Sequence, residues 1–288
     1  MIRSIRTILK KWFTVAEVSS IVRYLENGQI PWTTGYEEYK QHAIIEALSD
    51  RDVLQVFRSG QELPKGFGFR LDERIIEYPW VQSRMSEDNV LLMDAGGTLD
   101  HQYLLDLPAL AGKKVIVYTL APNGQVLTRP NTSYVFGDLR HTILADEVFQ
   151  EIACISTLEH IGMDNTLIYT QDEKYKESRS TDYRQVLQEF RRLLVPNGRL
   201  LLTVPYGRYR DFGWLQQFDR AMLADAINTF GGRTVEQDFF RYEPDGWTRT
   251  TEDACRDCEY YDIHSSPAYA PDFAAAARAV ACVQLQKA

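Results

Sequence analysis

The sequence predicts an α/β fold in which helices cover both faces of a mostly parallel, doubly wound sheet. From Asn89 onward, short apolar runs alternate with helical segments and short turns. Residues 200–204 form a continuous apolar run, as expected for a strand that is buried on both faces. Such alternation is typical of parallel strands joined by right-handed crossovers. We therefore expect the carboxyl ends of the strands to share one edge, where folds of this class bind ligands.

This alternation of strands and helices begins only after residue 88 and so distinguishes two parts of the chain. Residues 1–60 predict helices interrupted near Pro31, and residues 61–85, rich in proline and glycine, predict a connector. We expect a helical extension with its connector in residues 1–75 and a main domain in residues 76–288.

The main domain contains seven predicted strands. They are residues 90–93, 114–120, 133–136, 151–155, 200–204, 234–242 and 279–286. The first is followed by a helical segment that ends near Leu107. Polar or glycine-containing tips follow the first four strands, at Asp94, Leu120, Asp138 and Ser156. The edge that carries these tips is the predicted site.

Two helices of the main domain are well defined by the sequence. Residues 183–194 carry apolar side chains along one face, Asp182 is placed to cap the helix, and residues 196–198 predict a tight turn after it. A further helix is predicted over residues 220–230 and is closed by Gly231.

Composition and charge narrow the classes of function. The chain has 288 residues, 44% of them hydrophobic, which is ample for the core of one large domain with elaborations. A net charge of −8 gives no global basic field, so we expect no nucleic-acid partner. No apolar run is long enough to span a bilayer, and the N-terminus lacks a cleavable signal pattern.

The four cysteines favour a reducing, cytoplasmic setting. Cys154 and Cys282 lie in apolar, strand-like runs and are predicted to be buried thiols. Cys255 and Cys258 have C-x-x-C spacing, but neither a second pair nor matching histidines complete a zinc site. We therefore predict no metal.

The N-terminal segment is basic within an otherwise acidic chain. Residues 1–13 contain four basic residues and no acid, and their apolar side chains recur at helical spacing. One interpretation is an amphipathic helix that lies on an anionic membrane. The favoured interpretation is a helix that packs on the domain or on a second subunit of a homodimer.

The strand tips carry the groups expected of a ligand site. Gly96 and Gly97 let backbone approach a ligand closely, although the motif is shorter than a dinucleotide fingerprint. Asp138 is either an acceptor for an exocyclic amine or a turn aspartate. Glu159 and His160 follow the fourth strand, and histidine readily exchanges a proton near neutral pH. As sequence neighbours on a helix they would point apart, so we do not expect them to pair, and His160 is either catalytic or structural.

Four segments, in this order and spacing, resemble class I S-adenosylmethionine-dependent methyltransferases. They are DAGGT at 94–98, GDLR at 137–140, CISTLEHIG at 154–162 and FRRLLVPNGRLLLTVPYG at 190–207. The resemblance covers residues 77–207 well and continues loosely to the last strand. It is strongest to bacterial members associated with surface polysaccharide or specialised-metabolite biosynthesis.

The resemblance implies a Rossmann-like, seven-stranded sheet whose last strand is antiparallel and lies between the fifth and sixth. It also implies S-adenosylmethionine as cofactor. By this resemblance, the methionine part lies near Asp94, Gly96, Gly97 and Thr98, and the sulfonium lies beside Ile155 and Ser156. The ribose lies near Thr119 and Leu120, and the adenine lies at Asp138 and Leu139. Two features depart from the family pattern. Thr98 replaces a further glycine, and no acid ends the second strand, a gap that Asp100 is one candidate to fill.

The function that these residues predict is O-methylation of a hydroxyl on a sugar or other small-molecule acceptor, with His160 as the base. The predicted acceptor pocket comprises Glu159, Tyr206, Trp214, Gln216, Gln217 and residues 260–264. The segment 244–271 is longer than loops that only connect two elements usually are, and it predicts a lid or a dimer contact. Two alternatives stay open: a nicotinamide-dependent sugar-nucleotide enzyme, and a degenerate methyltransferase fold that acts as a scaffold or partner subunit.

Overall fold

The computed structural model describes residues 14–122, 129–167, 169–266 and 268–288. The predicted basic helix in residues 1–13 lies outside the described residues. The chain divides into two compact units. The helical unit comprises Met1–Ser83, Arg241–Arg249 and Tyr261–Arg278, and the sheet unit comprises Arg84–Phe240, Thr250–Tyr260 and Ala279–Ala288.

Helices account for most of the regular structure before residue 90 and recur between the strands. They are α1 Val15–Glu26, α2 Tyr36–Ser49, α3 Arg51–Ser59, α4 Arg74–Arg84, α5 Gln102–Leu105, α6 Pro108–Ala111, α7 Tyr183–Leu193, α8 Arg220–Phe230 and α9 Glu252–Cys255. None of these described helices is long and apolar enough to cross a membrane.

The strands form one large sheet and one small ribbon. They are β1 Leu91–Ala95, β2 Lys114–Thr119, β3 Thr132–Phe136, β4 Phe149–Ile155, β5 Leu194–Pro205, β6 Arg210–Asp211, β7 Gln216–Gln217, β8 Arg233–Glu243, β9 Gly246–Thr250 and β10 Ala279–Gln286. The large sheet has eight strands in the order β3-β2-β1-β4-β5-β10-β8-β9, and β6 pairs with β7.

The topology confirms the predicted fold class. Strands β1 to β5 pair in parallel, and β10 pairs antiparallel with β5 and lies between β5 and β8. The sheet has one strand more than predicted, because β9 continues the chain directly after β8 at the edge. The predicted turn at residues 196–198 is instead a local irregularity within β5, where Asn197 adopts a positive φ of 63°.

Helix α7 forms the predicted contact with the core of the sheet unit. Its apolar face, which includes Val186, Leu187 and Phe190, is fully buried. The capping prediction was wrong, because the Asp182 side chain makes no capping hydrogen bond and pairs with Arg140 at 2.6 Å instead. Burial of this face, rather than a capped end, holds the helix on the sheet.

The helical unit contains a helix where the sequence predicted only a connector. Helix α4 includes Pro79, a residue that is strongly unfavourable in a helix interior. Nearby, a polar group of the same unit is buried: Asp72 accepts hydrogen bonds from the Tyr36 hydroxyl at 3.0 Å and the Lys40 ammonium at 2.8 Å. In the same unit, Trp247 donates its indole N–H to the Leu71 carbonyl at 3.0 Å.

A buried ionic network lies at the amino-terminal ends of the parallel strands. Lys113 and Glu151 are 2% and 1% exposed, and their charged atoms are 3.2 Å apart. Lys113 Nζ also donates to the carbonyls of Ser86 and Asp88, at 2.7 and 2.9 Å. Glu151 Oε1 accepts from the Ser86 amide at 2.7 Å and from Arg199 at 2.5 Å. The network joins the chain before β1 to β4 and β5.

Candidate functional site

The structure brings the four predicted strand tips to one edge of the sheet, here called the carboxyl edge. The Gly96 amide donates to the Tyr118 carbonyl at 2.9 Å, and the Gly137 amide donates to the Thr119 carbonyl at 2.9 Å. The Ser156 amide donates to the Thr203 carbonyl at 3.1 Å. Because each tip is bonded to the neighbouring strand, its residues follow directly from the sheet register.

Asp94 organises the turn that follows β1. Its carboxylate is fully buried, and Oδ2 accepts a hydrogen bond from the Leu99 amide at 3.0 Å. Burial raises the pKa of this carboxyl to about 7, and hydrogen bonds from Leu99 and Thr98 oppose the shift. Thr98 therefore stabilises the turn through its hydrogen bonds to Asp94. It does not have the positive φ that would require the glycine expected at this position from the family pattern.

The two glycines of this turn meet the tips of the neighbouring strands. Gly96 and Gly97 have φ values of 104° and 79°, which disfavour any other residue. A Cβ atom at Gly96 would lie 2.2 Å from Thr157 Oγ1, so the backbone here is closely covered by the β4 tip. A Cβ atom at Gly97 would lie 3.6 Å from Thr119 Cβ, an ordinary contact distance. Thr157 was not singled out from the sequence as a neighbour of Gly96.

These residues fit the methionine end of S-adenosylmethionine better than its ribose. At Gly97, a positive φ and the lack of a side chain give the close backbone approach that such a group needs. The Asp94 carboxyl stabilises the same turn through the Leu99 amide. At the second tip, Thr119 is buried and Leu120 is half-buried. Asp100, the candidate to replace the missing acid at the end of the second strand, already accepts a hydrogen bond from the Tyr134 hydroxyl at 2.7 Å.

At the third tip, Asp138 is held by Arg140. Asp138 Oδ1 accepts from the Arg140 amide at 2.9 Å, and Oδ2 accepts from its guanidinium at 2.7 Å. These hydrogen bonds outweigh the cost of partial burial and lower the pKa of the Asp138 carboxyl. Both carboxylate oxygens thus make the local hydrogen bonds expected of a turn aspartate. Leu139, the other predicted adenine neighbour, is buried in the hydrophobic core.

Arg140 links this tip to the long segment before α7. Besides Asp138, its Nη1 lies 2.8 Å from Glu177 and 2.6 Å from Asp182. The three acids come from positions up to 44 residues apart in sequence, which is why local patterns did not single out Arg140. The arrangement anchors one side of the segment that follows the β4 tip.

His160, after β4, has a defined orientation. Its Nδ1 lies 2.9 Å from the Trp214 carbonyl oxygen, which can only accept, so Nδ1 carries a proton. In the neutral imidazole the lone pair is therefore on Nε2. The ring stacks on Trp214 at 5.4 Å between centroids and meets the edge of Tyr169 at 5.3 Å. The histidine is 8% exposed, so the ring is held from several sides.

Glu159 and His160 are close in space, contrary to the prediction. Glu159 Oε1 lies 3.9 Å from His160 Nε2, within ion-pair distance when the imidazole is protonated. Residues Leu158–His160 form a single 3₁₀ turn rather than an α-helix, and this tighter turn lets the sequence neighbours converge. Because Glu159 is 1% exposed, its carboxylate acts on the imidazole with little screening.

The remaining predicted acceptor residues lie beyond β5. The Tyr206 ring is buried, and its hydroxyl donates to Glu252 Oε1 at 2.8 Å. The Gln217 amide donates to the Cys258 carbonyl at 2.9 Å and accepts from the Tyr260 amide at 2.6 Å. Gln216 is buried and donates to the Ser180 carbonyl at 2.8 Å. These amides brace backbone, and the Trp214 ring stacks on His160.

The cysteines do not assemble into a metal centre. All four are buried and form no disulfide, and burial was predicted for Cys154 and Cys282. Within the described ranges, no group of three or more His, Cys, Asp and Glu side chains is arranged to hold a metal ion.

No protein-family model matches the sequence, and no curated protein matches it significantly. Solved structures with a similar fold include the cyclase SpnF, at 14% identity and a TM-score of 0.47, with 86% of this chain and 95% of that chain covered. A S-adenosylmethionine-dependent methyltransferase from Methanosarcina mazei is 13% identical, with a TM-score of 0.42 and coverage of 73% and 97%.

A third similar structure is the 1,6-didemethyltoxoflavin N1-methyltransferase of Burkholderia thailandensis with bound S-adenosylhomocysteine. It is 12% identical, with a TM-score of 0.40 and coverage of 89% of this chain and 92% of that chain. At identities and TM-scores of this size, the similarity concerns the fold alone. Cofactor and reaction must be inferred from the residues of this chain.

Proposed function

We propose that this chain is an S-adenosylmethionine-dependent methyltransferase that transfers a methyl group to a hydroxyl of a sugar or other small molecule. The observation that carries the proposal is the orientation of His160. The Trp214 carbonyl holds the proton on Nδ1 and leaves Nε2 as the basic nitrogen, in a residue that directly follows the tip of β4. A histidine held in this way is suited to remove a proton from an acceptor.

The residues that would hold the cofactor are those of the first, second and fourth tips. Gly96 and Gly97 would lie against its methionine part above Asp94, and Ile155 and Ser156 would pass beside its sulfur. The cofactor would supply a methyl group on a positively charged sulfur, and the protein would align the acceptor, exclude water and take up the acceptor's proton. Alignment of this kind can contribute about 7–11 kcal/mol to catalysis.

Acceptor activation is the part that His160 would perform. The hydroxyl proton would pass to Nε2 while the acceptor oxygen takes the methyl group that the cofactor would supply. The carboxylate of Glu159, 3.9 Å from Nε2, stabilises the imidazolium that results. Base catalysis of this kind typically contributes about 10²–10⁴-fold.

The acceptor side of the site is aromatic. Trp214 and Tyr169 pack against His160 with half-buried rings, and Trp214 meets the edge of Tyr260 at 6.1 Å. Such rings suit the apolar face of a sugar or another ring. The predicted role of Gln217 is better described as bracing residues 258–260, which hold Tyr260 in this wall.

Product analysis tests the proposal. The full chain is incubated with S-adenosylmethionine and a panel of sugars and phenols, and S-adenosylhomocysteine and methylated products are measured by mass spectrometry. We expect a methylated hydroxyl with the wild type and a loss of most turnover with His160→Ala. Equal turnover by the variant would exclude His160 as the base. Binding of NADP in place of S-adenosylhomocysteine would favour the nicotinamide-dependent alternative, and binding of neither would favour the scaffold.

A further inference from the structure

An asparagine in the segment after β4, Asn165, binds the backbone of His160. Its side-chain Nδ2 donates to the His160 carbonyl at 3.0 Å and to the Met163 carbonyl at 3.0 Å. The same His160 carbonyl accepts from the Met163 amide at 3.2 Å. These bonds close a short loop over residues 160–165. An amide group has two hydrogens to donate, so one asparagine side chain can form both of its bonds at once.

The backbone of Asn165 holds the next part of the same segment. Its carbonyl accepts from the Tyr169 amide at 3.0 Å and from the Thr170 amide at 3.2 Å. The Tyr169 ring in turn meets the edge of the His160 ring, at 5.3 Å between centroids. Asn165 therefore joins the backbone of His160 to the backbone of the tyrosine that packs against its imidazole.

The loop over residues 160–165 is also bonded to the chain that orients the imidazole. The Asp164 amide donates to the Gly213 carbonyl at 2.9 Å. The next carbonyl along that chain, of Trp214, lies 2.9 Å from His160 Nδ1. The position of the Trp214 carbonyl relative to the imidazole therefore depends on the conformation of this loop, which the Asn165 side chain closes.

We propose that Asn165 is a positioning residue for His160. Its amide fixes the loop that carries the imidazole and so sets the direction in which Nε2 faces. This inference rests on the proposed function, because it assigns Asn165 to the base of that reaction. Asn165 acts only through His160 and Tyr169. A displacement of a reacting group by about 1 Å can cost about 10²-fold in rate, so hydrogen bonds that are individually weak can matter for turnover.

NMR spectroscopy of the imidazole tests the positioning without any substrate. Asn165→Ala removes both donors, and the matched control Thr166→Val removes a hydroxyl of the same segment that donates to Asp164 Oδ1 at 2.5 Å. The signals of His160 in the full chain, labelled with ¹⁵N-histidine, are those that are lost in His160→Ala.

In Asn165→Ala we expect the Nδ1 and Nε2 signals of His160 to approach each other, because the proton is no longer fixed on Nδ1. In Thr166→Val they should match the wild type. Unchanged signals in Asn165→Ala would overturn the inference, as would an equal change in the control. If Asn165→Ala does not fold, Asn165→Ser, which has one hydrogen to donate instead of two, takes its place under the same criteria.

A double-mutant cycle on turnover separates positioning from general stabilisation. The methyl acceptor is the one that product analysis identifies, and radiolabelled S-adenosylmethionine makes slow turnover measurable. Asn165→Ala should lower kcat about tenfold or more in the wild type but less than about twofold in His160→Ala, because the base through which it acts is then absent. An equal loss in both backgrounds would overturn the inference.

The two measurements distinguish this inference from the proposed function. If Asn165→Ala changes the His160 signals, but the wild type binds no S-adenosylhomocysteine and forms no methylated product, Asn165 does orient the imidazole and the proposed function fails. If the wild type methylates an acceptor and Asn165→Ala matches it in both signals and turnover, the role of Asn165 fails and the proposed function stands.

Discussion

The two edges of the sheet use buried charge in different ways. At the amino-terminal edge, Lys113 and Glu151 are joined to each other and to backbone from distant parts of the chain. At the carboxyl edge, Asp94 and Asp138 are held by amides two to five residues away, and His160 by one carbonyl of the next loop. The first arrangement ties elements together, whereas the second sets the orientation of single side chains.

The difference indicates where stability and function reside. A buried ion pair with additional hydrogen bonds is costly to break, because the remaining charge has no solvent. A side chain held by its own turn can change its contacts without unfolding its neighbours. Loss of a charge at the amino-terminal edge should therefore cost the most stability, whereas variants of Glu159 and His160 at the carboxyl edge should mainly change binding or turnover.

The largest expected effect compares two glutamates that are each 1% exposed, Glu151 and Glu159. Glu151→Gln leaves the Lys113 ammonium buried without its carboxylate, and we expect a loss of about 3–5 kcal/mol in the free energy of unfolding. Glu159→Gln should cost about 1 kcal/mol or less. Urea denaturation followed by circular dichroism measures both, and equal losses would contradict the distinction between the edges.

Unlike Glu151→Gln, His160→Ala should lower turnover rather than the free energy of unfolding. Loss of the base lowers methyl transfer about 10²–10⁴-fold. Affinity for S-adenosylhomocysteine should stay near that of the wild type, because His160 is proposed to contact the acceptor rather than the cofactor. Stopped-time assays of product give the first quantity and calorimetry the second. A large loss of cofactor affinity with little loss of turnover would reverse the assignment.

Asp94 predicts a dependence of stability on pH. Burial raises the pKa of this carboxyl from an ordinary 3.8 to about 7, so the folded chain retains a proton that the unfolded chain releases. Stability contributed by the neutral form is thus fully present below about pH 4 and is lost as pH rises toward about 7. Unfolding of the wild type and of Asp94→Asn over this range tests it. The variant should lack this component, and identical pH profiles would refute the prediction.

The smallest effect separates the two interpretations of Asp138. As a turn aspartate paired with Arg140, its change to Asn should cost about 0.5–1 kcal/mol of stability and leave S-adenosylhomocysteine affinity nearly unchanged. As an acceptor for adenine, it should instead lower that affinity about tenfold. Paired denaturation and calorimetry on Asp138→Asn decide between them.

Much of the fold could be predicted from local sequence patterns. The apolar runs and the face of α7 follow simple periodicities, and the strand tips follow from the parallel arrangement. Helix α4 was missed because Pro79 argues locally against a helix, and surrounding packing overrides it. The capping role of Asp182 was wrong because Arg140, 42 residues away, binds that carboxylate.

The candidate site was predictable in position but less so in its contacts. That Asp94, Ser156 and His160 lie at one edge follows from strand order. That the Trp214 carbonyl orients His160 depends on a contact 54 residues apart, and that Glu159 approaches His160 depends on a 3₁₀ turn. Spacing alone contained neither piece of information.

Calorimetric titration of the wild type with S-adenosylhomocysteine tests the central claim, that the carboxyl edge holds this cofactor, most directly. We predict saturable binding with a dissociation constant in the micromolar range for the wild type, and a loss of at least about tenfold for Gly97→Val, because Gly97 has a φ of 79° that valine strongly disfavours. Absence of wild-type binding at millimolar ligand, or equal binding by the folded variant, would contradict it.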